Sequence, residues 1–266
     1  MTYANFLLLF LVIPIIALVW LNVKAGFKRW GLLAVLSLIA LLYTTLWDNY
    51  LVANRIWWYA PSQVSGILFG WVPVEEYLFF LLQPVMTGLW TFLVIRNFAD
   101  RPTPKSRKHS LRWGTFAVLA LLWLLSAGAL IAGWPTARYL ALILIWALVP
   151  LLLQVAYGAD ILWRRWRIVL LALLPATIYL AAADIVAISS GIWTISSSFS
   201  LPILLAGILP LEELLFFFVT NCLIVFTVVL VSSESVSISL VRTGFSSRLR
   251  ITRESEDSTS FSEDLV

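Results

Sequence analysis

Seven long apolar runs alternate with short polar stretches, at about residues 3–23, 31–52, 74–95, 114–133, 138–158, 167–190 and 208–231. Each is close to the roughly 20 residues a helix needs to cross ~30 Å of hydrocarbon. The pattern predicts an all-α integral membrane protein with seven transmembrane helices. The first run is too long for a signal peptide and lacks both a basic start and a small-residue cleavage site, so it is expected to be a retained helix. After Val231 the chain turns to Ser, Thr, Glu, Asp and Arg, and residues 232–266 are expected to form a disordered polar tail.

The polar stretches set an orientation. Lys24, Lys28 and Arg29 follow the first run, and Arg96, Arg101, Lys105, Arg107, Lys108 and Arg112 follow the third. Arg164, Arg165 and Arg167 follow the fifth, and Arg242, Arg248, Arg250 and Arg253 lie in the tail. All of these fall on one side of the predicted bundle, and only Arg55 and Arg138 fall on the other. Basic residues beside membrane ends mark the cytoplasmic face, so the N-terminus is predicted outside and the C-terminus in the cytoplasm.

The runs also repeat. Pro14, Lys28, Arg29 and Trp30 recur as Pro150, Arg164, Arg165 and Trp166, an offset of 136 residues. Helices one to three therefore correspond to helices five to seven. Three crossings reverse the chain, so a second copy in the same orientation needs one extra crossing, which helix four supplies. The expected architecture is 3+1+3, a parallel internal duplication with a pseudo-twofold axis along the membrane normal. It divides into a first three-helix repeat (1–95), a basic linker loop with helix four (96–135), a second three-helix repeat (136–231) and the tail (232–266).

Composition adds little to the fold but narrows the chemistry. With 61% hydrophobic and 12% charged residues and a mean hydropathy of +0.95, the chain is far more apolar than a soluble domain. Its sequence pI of about 9.4 follows from the basic cytoplasmic loops and calls for no nucleic-acid partner. The single Cys222 rules out an internal disulfide and reads as a packing thiol. His109, the only histidine, falls in the basic linker. Zinc chemistry has no ligand set here.

Against that background six acids stand out. Asp48, Trp57, Pro73, Glu75, Glu76 and Phe79 recur as Asp184, Trp193, Pro210, Glu212, Glu213 and Phe216, with the offset moving only from 136 to 137. Asp48 lies about 17 residues into helix two, roughly 26 Å from its cytoplasmic end. Glu75 and Glu76 open helix three at the same outer boundary. A Pro-x-Glu-Glu start also makes a well-capped helix, since proline suits the first turn and acids there meet the positive end of the helix dipole. Capping alone does not require a matched Asp and Trp in both copies.

Aromatic side chains crowd the acids: Trp47, Tyr50, Trp57, Trp58, Tyr59, Trp71, Tyr77, Phe79 and Phe80 in the first half; Trp193, Phe199, Phe216, Phe217 and Phe218 in the second. An interfacial belt accounts for some of them. Aromatic faces also stabilise cations, and acids within aromatic walls suit carbocation chemistry on an apolar substrate. Thr220 and Asn221 offer polar groups nearby, either for the acids or for joining helices.

The paired segments DNYLVANRIWWY with GWVPVEEYLFF, and DIVAISSGIW with GILPLEELLFFFVTN, resemble the two lycopene cyclase domains of the membrane-embedded carotenoid cyclase family, in its fused form. The likeness covers nearly all of residues 1–231. It implies a lycopene β-cyclase, an intramolecular lyase or isomerase of carotenoid biosynthesis that converts lycopene by way of γ-carotene to β-carotene in the cell membrane. Its implied partners are the lipophilic carotenoid, membrane lipid and other enzymes of the pathway. The implied reaction is redox-neutral, with a general acid protonating C1=C2 and a base removing the C6 proton.

Under this reading Glu75 and Glu212 are expected as proton donor or acceptor, Glu76 and Glu213 as their tuning partners, and Asp48 and Asp184 as orienting groups. Trp57, Tyr77, Phe79, Trp193, Phe216 and Asn221 are the expected substrate-binding residues. Successive helix positions differ by about 100 degrees, so both glutamates of a pair are not expected to face one cavity. No cofactor is expected, since no dinucleotide fingerprint G-x-G-x-x-G follows a strand. No metal is expected either, since no D-x-x-x-D or D-D-x-x-D motif occurs.

Several neighbouring classes remain. A hydratase, an ε- or γ-ring cyclase or a C50 cyclase shares the same cation, and a proton-coupled transporter also combines buried acids with internal repeats. A retinal protein is excluded by the absence of any lysine beyond Lys108, and a Glu-Glu membrane protease by the lack of intramembrane histidine. Whether the two copies build one site or two is open at this level.

Overall fold

A computed structural model describes residues 1–98 and 109–233. Seven helices among the described residues are long and apolar enough to cross a membrane, and the chain is a membrane protein. They are α1 (Tyr3–Lys24), α2 (Trp30–Ala53), α3 (Val74–Asn97), α4 (His109–Ile131), α5 (Arg138–Arg164), α6 (Trp166–Ser189) and α7 (Leu211–Ser233). A π-helical stretch at Leu8–Val12 runs through α1, and a 3-10 turn at Pro135–Ala137 leads into α5.

Among the described residues, six short strands that the apolar pattern did not predict lie between α2 and α3 and between α6 and α7. They are β1 (Trp57–Tyr59), β2 (Leu68–Phe69), β3 (Val72–Pro73), β4 (Trp193–Ile195), β5 (Leu204–Leu205) and β6 (Leu209–Pro210). Pieces of two or three residues are too short to show a period of two. The order helix, helix, strand, hairpin, helix holds both from α1 to α3 and from α5 to α7.

The hairpins explain why the repeat offset grows by one. Leu68 pairs with Pro73 and Phe69 with Val72, leaving Gly70 and Trp71 as a two-residue turn. Leu204 pairs with Pro210 and Leu205 with Leu209, leaving the three residues Ala206, Gly207 and Ile208. The extra residue is in that turn.

Prolines tie the two halves together. A proline inside a helix cannot bond the carbonyl four residues back. In α5, Pro150 frees the Trp146 carbonyl, which accepts the Tyr43 hydroxyl of α2 at 2.8 Å. In α1, Pro14 frees the Phe10 carbonyl, which accepts the Tyr179 hydroxyl of α6 at 3.0 Å. The donors, like the prolines, stand 136 apart. Tyr43→Phe orphans one of these carbonyls and is expected to cost about 0.5–1.5 kcal/mol, read as a lower Tm of the detergent-solubilised protein.

Helix α4 lies on the outside. Only 6% of its most apolar window is buried, against 61% for α3. It packs on α5, where Trp123 Nε1 donates to the Ile145 carbonyl at 3.2 Å and Arg112 pairs with the buried Asp160.

Some boundaries differ from the sequence reading. His109, expected in a loop, is the first residue of α4. Arg164, also expected in a loop, ends α5, which continues past a break at Gly158 until only Arg165 separates it from α6. Pro73 precedes the first helical residue instead of occupying it. Ser232 and Ser233, expected in the tail, continue α7, and residues 234–266 and most of the basic linker lie outside the described residues.

Candidate active site

The acids gather where the α2 and α6 C-terminal turns meet the α3 and α7 N-terminal turns. In α3, Glu76, Phe79 and Phe80 are spaced i, i+3 and i+4 and so share one face; in α7, Glu213, Phe216 and Phe217 do the same. Both faces line one pocket, together with Asp48 from α2 and Asp184 from α6. Four carboxylates, two from each half, meet there. Each is nearly inaccessible: Asp48 and Asp184 are 1% exposed, Glu76 5% and Glu213 7%.

Two tyrosines that the sequence reading did not select hold the glutamates. Tyr3, in the first turn of α1, donates its hydroxyl to Glu76 Oε2 at 2.5 Å. Tyr139, in the first turn of α5, donates to Glu213 Oε1 at 2.6 Å. Their offset is again 136, the signal that could have found them. Glu76 alone has a second phenol, Tyr59 of β1, at 3.0 Å, because Ile195 stands at the matching position in β4. Burial, with the Glu76 carboxylate beside it, pushes the Tyr59 phenol well above its ordinary range, so it remains a donor.

The aspartates are held less tightly. Trp193 Nε1 donates to Asp184 Oδ1 at 2.9 Å. The counterpart bond is not made: Trp57 Nε1 is buried without a partner. Oδ2 of both Asp48 and Asp184 is likewise buried without a partner.

Of the expected substrate-binding residues, Trp57, Phe79, Trp193 and Phe216 line the pocket. Trp193 sits edge-on to Tyr3 and to Phe6, at centroid distances of 5.1 and 5.4 Å. Trp47 stacks on Phe216 at 5.9 Å. Aromatic faces thus surround the carboxylates, an arrangement that disperses positive charge on a bound apolar chain.

Four of the expected site residues lie outside the pocket. Glu75 and Glu212 do not line the pocket. The 100-degree step along the helix turns them aside, and they accept the backbone N–H of Ser65 and of Leu201, each at 2.6 Å. Each latches the loop that precedes its own helix. Tyr77 also points away, donating to the Phe69 carbonyl at 2.7 Å. Asn221 lies deeper, where its Oδ1 accepts from Gln83 and Thr87 of α3 and its Nδ2 donates to Thr177 of α6. It joins three helices.

The fold and site define a membrane protein with a buried cluster of carboxyl groups in an aromatic pocket. The lycopene cyclase family model matches residues 1–94 and 136–231. A lycopene beta-cyclase of Halobacterium salinarum is 40% identical over 187 residues, 70% of this chain and 76% of the relative. A bifunctional lycopene cyclase/phytoene synthase of Blakeslea trispora is 34% identical over 240 residues, 85% of this chain but 38% of that longer protein. No solved structure matches significantly. The chain belongs to the lycopene cyclase family.

Proposed function

We propose that the chain closes the ψ ends of lycopene into β rings, giving β-carotene by way of γ-carotene. The observation that carries this reading is the meeting of two Asp–Glu pairs in one aromatic pocket. Ring closure needs one proton donor, one acceptor and walls that tolerate a cation. The pocket has all three.

Asp48 and Asp184 are the donors. They are the two pocket-lining carboxyl groups with an oxygen buried without a hydrogen-bond partner, which is least costly when the group is neutral, the form that can give a proton. The proton adds to C2 of the terminal double bond and leaves a tertiary cation at C1. C6 of the C5=C6 bond attacks C1, closing the ring and moving the cation to C5. Glu76 and Glu213, held as acceptors by tyrosine hydroxyls, take the C6 proton and set the new C5=C6 bond. The balance is neutral, and between turnovers glutamate gives up the C6 proton to solvent and aspartate takes a new one from it. Glu75 and Glu212 fix the loops and take no part in proton transfer.

The duplication is parallel, 3+1+3, with a pseudo-twofold axis along the membrane normal, the N-terminus outside and the C-terminus in the cytoplasm of a cell whose membrane holds the protein. The β1–β4 pairing supports the axis. Trp58 pairs with Thr194, its own counterpart at offset 136, with Trp57 on Ile195 and Tyr59 on Trp193 to either side. The flanking bonds match too: Ala60 N–H donates to the Ile192 carbonyl at 2.9 Å and Ser196 N–H to that of Ile56 at 2.8 Å. A strand pair centred on one residue and its own equivalent, with the flanking partners exchanged on either side, is what a twofold axis between the strands produces.

Expression in a lycopene-accumulating bacterium, followed by pigment chromatography, tests the function. β-Carotene is expected, and unchanged lycopene with the protein present in the membrane refutes it. The proton route has its own test. Membranes supplied with unlabelled lycopene in heavy water are expected to yield β-carotene carrying one deuterium at C2 of each ring, read by mass spectrometry, since the donor exchanges with solvent and the C6 hydrogen is lost.

A further inference from the structure

The β2–β3 hairpin carries four large apolar side chains, interrupted only by Gly70, that the described residues leave more than half exposed. Ile67, Leu68, Phe69 and Trp71 are 58%, 54%, 61% and 64% exposed. A patch of this kind normally marks a contact surface. Its position shows which one.

The hairpin does not rise from the end of the bundle. Its turn is bonded to the flank of α2, where Asn49 Oδ1 accepts the Trp71 backbone N–H at 2.8 Å. Asn49 lies four residues before Ala53, the last residue of α2, or about 6 Å inside that end at 1.5 Å per residue. Helical side chains lean toward the N-terminus, so the Asn49 amide reaches further inward, away from the end. A second tether keeps the hairpin down: Tyr77 donates to the Phe69 carbonyl and itself accepts from Asn49 Nδ2 at 2.8 Å. Gly70, at φ +68, is required by the contact, since a Cβ there would run into the Asn49 side chain.

The flank that receives the hairpin faces outward along the crossing segment. Leu42 and Leu46 share the face of Asn49 and are 65% and 81% exposed. The hairpin surface continues this apolar face toward the end of the helix. The second half repeats the feature, with Ile203, Leu204 and Ile208 exposed on the β5–β6 hairpin.

We propose that the β2–β3 hairpin is a membrane-dipping element, with Phe69 and Trp71 among the lipid acyl chains just below the headgroups on the side that holds the acids. Tryptophan at that depth is favoured because the ring has an apolar body and a polar N–H. The tethers hold a backbone turn at a level where loose loops are excluded, and the β2–β3 pairing together with the bonds to Asn49 and Tyr77 gives partners to the Trp71 N–H and the Phe69 carbonyl.

The test uses the full chain in phosphatidylcholine vesicles. Cys222 is buried and is replaced by Ala. Nitroxide labels are then placed singly by Phe69→Cys and by Trp71→Cys, with Leu46→Cys as the lipid-facing reference and Ser62→Cys, on an exposed turn, as the aqueous one. Both hairpin labels are expected to collide with oxygen more often, and with a water-soluble nickel chelate several-fold less often, than the Ser62→Cys label. Chelate accessibility equal to that of Ser62→Cys at both hairpin positions overturns the proposal. The two positions are read independently, so loss of one variant to misfolding leaves the other to decide.

Discussion

Glu76→Gln is expected to abolish ring closure, lowering the rate by about 10²–10⁴-fold, the usual contribution of a positioned acid or base. The amide is close in size to the carboxylate, and its oxygen still accepts the Tyr3 and Tyr59 hydroxyls that hold the side chain. What disappears is the ability to take a proton. The neighbouring Glu75→Gln is expected to behave differently although it lies one residue away. Its amide oxygen still accepts the Ser65 N–H, so the latch on the loop is kept, and the change is expected to cost about 1 kcal/mol in loop stability. Pigment chromatography, normalised to protein in the membrane, separates the two. Cyclisation that survives Glu76→Gln and fails in Glu75→Gln would reverse the assignment.

The contrast between Glu75 and Glu76 marks how far the sequence carries. Repetition was readable: the matched Asp, Trp, Pro and Glu pointed to the end of the bundle where the pocket lies. Helical phase was readable too, since 100 degrees separates adjacent glutamates and only one of each pair can face inward. The sign of that phase was not. It depends on which side of α3 meets α6, a matter of packing between residues about a hundred positions apart. Tyr3 and Tyr139 obeyed the same offset as the acids but lay at the edge of the first and fifth runs, where a tyrosine reads as an interfacial belt residue. Asn221 marks a different limit, since its sequence position left both a substrate contact and a join between helices open. Its polarity suggested a substrate contact, but depth in the bundle made it a cross-link, since a buried amide must find partners and Gln83, Thr87 and Thr177 supply them. The strands were invisible because the turn geometry that sets them, two residues in one hairpin and three in the other, left only a one-residue change of offset.

Glu213→Gln is expected to lose as much activity as Glu76→Gln, and the double variant no more than either alone. Both side chains line one pocket with Asp48 and Asp184, so substrate in that pocket meets groups from both halves. The strand pair that joins β1 to β4 fixes Trp57 and Trp193 in one register and couples the two walls. Groups that act as one unit are non-additive, because removing any of them already removes the shared step. Two independent sites give the opposite pattern. Each single variant would then keep about half the activity, with the untouched half closing both ends in turn, and only the double variant would fail. Co-expression of the two single variants adds a check on where the pocket forms. Every chain would still carry one defect in its own pocket, and lycopene is expected to persist. Restored β-carotene in the mixed culture would mean that halves from different chains build the working site.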